Sequence, residues 1–233
     1  MKKVYLLLVL ALLPLALWAE PADSVCRVDW GSIARLAQTR PDSIRTLSER
    51  MARREPDTTL AMSDCVLAFY GQTYFPQFER LELLEAAVSD SLNKGRVDGA
   101  FRLADKAVKE WPLSLTANKC MAKIIYVMLQ DPAYSARVTE GNLRYYFHMF
   151  SRLLKVIAAT GDGSADRPYA VTSVADEYAF CSLWLRAAVK MQVLLKEKVP
   201  RDRLMLQNIK GSYTRDYVDF DITRVLEIER QMR

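Results

Sequence analysis

The chain predicts an α+β fold that is mainly helical: antiparallel, repeat-like helical hairpins with a small three-stranded antiparallel sheet near the C-terminus. Three observations point there. Between residues 30 and 159, apolar side chains recur at helical spacing, segment after segment, with caps and breakers between them. Within that run, Gly95, Ala100, Ala107 and Pro112 stand where a close helix pair would place its turn, its small contacts and its stop. Near the end, residues 216–222 switch to alternation. Val218, Phe220 and Ile222 share one side, and Tyr217, Asp219 and Asp221 the other.

The first residues read as an export signal. Lys2 and Lys3 precede an apolar run from Val4 to Trp18, shorter than the ~20 residues of a spanning helix, and small Ala19 stands before Glu20 and Pro21. The pattern is that of a secretory signal over residues 1–19. Residues 20–233 then form a single mainly helical domain with its sheet between 168 and 222. The expected location is periplasmic or extracellular, with no membrane span once the signal is removed. The whole chain has 33 basic and 28 acidic residues; losing Lys2 and Lys3 leaves a net charge of +3. Basic and acidic residues are interspersed, as in Arg53-Arg54-Glu55, so the concentrated basic face of a nucleic-acid binder is missing. Cys26, Cys65, Cys120 and Cys181 are widely spaced. Export permits disulfides and apolar helices bury thiols, so their pairing stays open. His148 is the only histidine, which leaves no zinc motif.

In chain order, residues 30–38 form a short amphipathic segment, and Pro41 suits the first position of the next helix. A helix over 62–70 stops at Gly71. The aromatic loop Tyr74, Phe75, Pro76 and Phe78 reads as a ligand surface or, as aromatics more often do, as loop packing onto a core. Residues 79–93 turn Leu81, Leu84, Ala87, Val88 and Leu92 inward. Ser114 caps a helix to 129. Residues 140–159 carry the stripe Leu143, Phe147, Phe150, Leu153, Leu154 and Ile157. Gly161 suits a left-handed helix terminus, and Asp162-Gly163-Ser164 a turn. Tyr169–Thr172 reads as a strand. Ser173 caps a long helix over 174–198 with Asp176 and Glu177 in its first turn. Residues 204–209 form a strand, Gly211-Ser212 a turn, and Thr223 caps the last helix.

Asp162, Ser164 and Asp166 alternate like the first ligands of a calcium loop, but Arg167 and Ser173 replace the required Gly and Glu. Asp162, Asp166, Asp176 and Glu177 also cluster in sequence, with Asp219 and Asp221 on the last strand. Paired carboxylates in unlike environments serve as acid and base. Turn formation and capping explain the same acids, so no catalytic, cofactor-binding or metal residue is assigned, and no cofactor. His148 lacks a nucleophile partner at motif spacing and reads as structural or surface.

Two resemblances add to this. Residues 81–114 resemble a tetratricopeptide-like helical hairpin, carried by Gly95, Ala100, Ala107 and Pro112, with Leu84 where Trp is common. The segments Asp57-Thr58-Thr59-Leu60, Phe69-Tyr70-Gly71-Gln72-Thr73-Tyr74, Gly161-Asp162-Gly163-Ser164, residues 169–178 and Val218-Asp219-Phe220-Asp221-Ile222 together resemble a family of secreted bacterial proteins, domain of unknown function 4919. That resemblance implies export and a mainly helical body, and no activity. Ala61, where a small hydroxyl cap would suit, and Val218-Asp219-Phe220, where an aromatic pair is more usual, depart from it. The functional expectation is a non-catalytic binding or scaffolding module of the cell envelope with a protein or peptide partner. The alternative is a carboxylate-based hydrolase with its acids around residues 161–178 and 216–222.

Overall fold

The computed structural model describes residues 26–232, so the expected signal over 1–19 lies outside the described residues. Helices α1 (Trp30–Thr39), α2 (Pro41–Met51) and α3 (Met62–Gly71) come first. Asp29 caps α1 by accepting from Ser32 N at 3.0 Å, and Pro41 takes the first position of α2. At α3 the missing hydroxyl cap of Ala61 is replaced from inside the helix, where Asp64 accepts the Ala61 N–H at 3.2 Å. The α-helix ends at Gly71 as expected, and a 3-10 turn, Gln72–Tyr74, follows directly. Glycine is needed there because Ile44 of α2 lies so close that a side chain would collide.

Four more helices pack in sequence: α4 (Arg80–Asn93), α5 (Val97–Glu110), α6 (Leu115–Leu129) and α7 (Glu140–Ala158). Between α4 and α5 the Gly95 and Arg96 N–H groups return to Leu92 O and Ser91 O, the paired bonds of a Schellman stop. Ala100, Ala104 and Ala107 are fully buried, so the backbones of α5 and its neighbours approach closely. Ser114 caps α6 as expected, accepting from Ala117 N at 2.9 Å. One core lies among α4, α5 and α6. The other joins α1, α3 and α7 to the sheet.

Past α7 the structure departs from the sequence reading. Gly161 is not left-handed. It is a close-approach site, where a Cβ would collide with the Arg167 and Pro168 carbonyl oxygens. The left-handed residue is Gly163 (φ 74°). After β1 (Tyr169–Ala170) the long helix expected over 174–198 is absent. α8 (Val174–Ala179) runs into a π turn (Phe180–Trp184), Arg186 adopts φ 55°, and the chain leaves as β2 (Ala188–Leu195). The physical reason is pairing: β2 joins β3 (Arg201–Gln207) in an antiparallel hairpin, satisfying backbone groups a helix would have paired locally. With β4 (Tyr217–Asp221) the sheet has four strands in the order β1-β4-β3-β2, and β1 runs parallel to β4. The expectation of three antiparallel strands is corrected on both counts. The last helix, α9 (Thr223–Gln231), is not capped by Thr223; Asp221 accepts the Thr223 N–H at 2.9 Å.

Candidate functional site

α8 begins beneath the helices and beside the sheet, and its first turn brings buried acids together. Ser173 caps it, accepting from Asp176 N at 3.2 Å, and Thr172 Oγ1 donates to Asp176 Oδ2 at 2.7 Å. Asp176 is 2 % exposed and Glu177 0 %. Facing Asp176 across a small cavity is Glu85, 9 % exposed, whose Oε1 accepts from Ser114 Oγ at 2.5 Å. Gln72 lines the same cavity. On the sheet side, Asp202 of β3 is buried and accepts from Gln192 Nε2, and Gln192 Oε1 accepts from the Tyr178 hydroxyl at 3.0 Å.

Burial dominates the electrostatics. It pushes the Glu85 carboxyl up to about 8, helped by the negative charge of Asp176, against the Ser114 hydrogen bond and Lys119. Glu177 rises to about 9, from burial first and then Asp202 and Asp176. Both Glu177 carboxylate oxygens lack a hydrogen-bond partner among the described residues. Asp176 and Asp202 are also raised by burial. At neutral pH Glu85 and Glu177 therefore hold protons unless a cation compensates them.

Of the acids singled out in the sequence, Asp176 and Glu177 belong to this cluster and the others do not. Asp162 accepts from Ser164 N at 2.9 Å and pairs with Arg167 at 2.5 Å. Partial burial raises its carboxyl, but the Ser164 and Arg167 hydrogen bonds outweigh that and hold it below the usual range. Asp166 is exposed, on an open groove of about 300 Å³ that Glu197 and Arg201 also line. Asp219 is fully buried and takes Arg201 at 2.8 Å and Arg203 at 2.7 and 2.8 Å, which occupies both its oxygens. Asp221 accepts Trp30 Nε1 at 2.9 Å, tying α1 to the sheet. His148 is exposed.

Glu85 and Asp202 were not foreseen. A signal for Glu85 exists: it falls on the apolar stripe of α4, between Leu81 and Val88, where a solvated acid would not stand. The Cys65, Cys120 and Cys181 thiols are buried and all four cysteines are free; burial pushes Cys181 up to about 12.

The family described as "Domain of unknown function (DUF4919)" matches residues 44–231. The chain belongs to this family. No curated protein and no solved structure matches it. The DUF4919 span covers Glu85, Asp176, Glu177 and Asp202, the whole sheet, and every helix except α1 and the first residues of α2.

Proposed function

We propose that this DUF4919 protein is an exported, non-catalytic binding module of the cell envelope that takes up an extended segment of a partner protein along β2. Its export rests on the lysine-led apolar segment before Ala19. The observation that carries the binding reading is the inverted polarity of β2. Register places Gln192, itself exposed, opposite buried Leu204, while Met191 and Val193 point to the other face of the strand. They are 54 % and 37 % exposed, and Leu194 on the Gln192 face is 45 % exposed. β2 is also the terminal strand of the sheet, with β3 as its one strand partner among the described residues. An edge strand with free backbone groups and outward apolar side chains is a template for one further strand.

The partner's chemistry follows from charge. Lys190, Lys196 and Lys198 are exposed along the strand and its turn, and Arg203, part-exposed, is the register partner of Val193. A second copy of β2 would bring lysines together, whereas a strand alternating apolar and acidic residues complements both the apolar row and the cations. The hydrolase reading has less support: the cavity that Asp176 and Glu85 share measures about 20 Å³, far below the roughly 300–1,000 Å³ of pockets that take organic ligands. Of the six acids it would use, Asp166 alone lines the larger groove.

A blocked decapeptide alternating valine with glutamate tests the reading, with its lysine analogue as control. Amide shifts confined to residues 188–195, weakened by salt and lost in Val193→Lys, are the expected result. Equal response to the lysine analogue, or shifts elsewhere on the protein, would refute it. N-terminal sequencing of the exported protein should begin at Glu20.

A further inference from the structure

The cavity between α4, α6 and the start of α8 differs in chemistry from the rest of the interior. Its polar lining includes Gln72, Glu82, Glu85, Ser114, Thr172 and Asp176 together with the α8 cap Ser173, and the rest of the lining is apolar. Every one of those polar side chains presents oxygen, and no histidine or cysteine is among them. Two of its three hydroxyls already donate to the buried acids, Ser114 to Glu85 and Thr172 to Asp176, and the third, Ser173, accepts from Asp176 N. Gln72 is 3 % exposed, and its Oε1 has no hydrogen-bond partner among the described residues. The carboxylate and amide oxygens of the cavity thus outnumber its hydroxyl donors. Its volume of about 20 Å³ suits one small ion, and an organic ligand would not fit. Lys119 of α6 is the cation facing both buried acids; against Glu82, Glu85 and Asp176 it leaves two negative charges when all are ionised.

We propose that Glu85, Asp176 and the side-chain oxygen of Gln72 form a calcium site, completed by the Ser114 and Thr172 hydroxyls and by solvent. Oxygen-only donors select a hard cation, and a set mixing carboxylate, amide and hydroxyl oxygens fits the pliable coordination of calcium. Magnesium demands a near-ideal octahedron and gives up its water reluctantly. Softer transition metals favour nitrogen or sulfur donors, which this lining does not offer. The ion would tie α4, the turn after α3 and the start of α8 together, a junction where the helical array meets the sheet. The assignment does not rest on what binds β2, although Tyr178, two residues after Asp176, reaches Gln192 of that strand.

The test uses the full mature chain stripped with EDTA and titrated with calcium chloride. One ion per chain should bind by calorimetry, and melting temperature should rise by roughly 5–10 °C at a hundredfold excess over Kd. Terbium should luminesce on binding, because Phe78 lines the cavity and packs on Trp111 at 5.0 Å, and calcium should quench that emission by displacement. Glu85→Gln and Asp176→Asn keep side-chain shape, so they should fold and lose both signals. Asp162→Asn, in the calcium-like loop, should keep them. Should either buried variant fail to fold, Gln72→Leu supplies the same discrimination through weaker terbium emission. No melting shift and no terbium emission at millimolar ion would overturn the assignment. So would a response that survives Glu85→Gln, one abolished by Asp162→Asn, or an equal response to magnesium.

Discussion

Replacing Glu177 by Gln should stabilise the protein, and the gain should grow with pH. Glu177 is fully buried, and neither carboxylate oxygen has a hydrogen-bond partner among the described residues. Its ordinary value of 4.5 becomes about 9 in the fold. A folded value above the unfolded one means the native state holds a proton that the unfolded chain has released. The wild type therefore has its full stability below pH 4.5 and loses it as pH climbs towards 9. The loss is about 1.4 kcal/mol per pH unit, so at pH 7 it amounts to about 3 kcal/mol. Glutamine fills nearly the same volume and does not titrate. The difference between the two proteins should be small near pH 5 and reach about 3 kcal/mol at pH 7. Urea denaturation in EDTA, followed by tryptophan fluorescence at unit steps from pH 5 to 8, reads it directly, as a midpoint difference of about 1 M or more at pH 7. Asp176, Asp202 and Glu85 titrate in both proteins, and a protonated Glu177 leaves their native environment uncharged by it, so they largely cancel. Stability curves that run parallel across the range would refute the argument, and so would a wild type that gains on the variant as pH rises.

Three further substitutions probe the frame. Ala107→Leu places a larger side chain at a fully buried contact in α5 and should cost about 1–3 kcal/mol; an unchanged urea midpoint would mean the face can open. Asp219→Asn leaves Arg201 and Arg203 without their shared anion and should cost about 3–5 kcal/mol by chemical denaturation. Ser173→Ala removes the cap of α8 and should lower stability by about 0.5–2 kcal/mol, with increased amide exchange confined to the first turn of that helix.

Up to residue 159 the helices were legible because their determinants are local. Each repeats its apolar stripe every three or four residues, and several announce a start or stop through Pro41, Gly95 or Ser114, so sequence spacing already contains the geometry. The cap at Ser173 and the strand at Tyr217–Asp221 were legible for the same reason. β2 was not. Val189, Met191 and Val193 alternate with Lys190 and Gln192, but a run so rich in Leu, Ala, Lys and Met also suits a helix, and the choice was made by β3, which lies beyond the turn and pairs with it. The parallel pairing of β1 with β4 joins segments about fifty residues apart, which no local pattern encodes. The acids divide along the same line. Asp162 declares its turn within the residues around it, whereas the meeting of Glu85 with Asp176, and of Glu177 with Asp202, exists only once three distant segments pack, because burial and neighbouring charge are properties of the assembled interior.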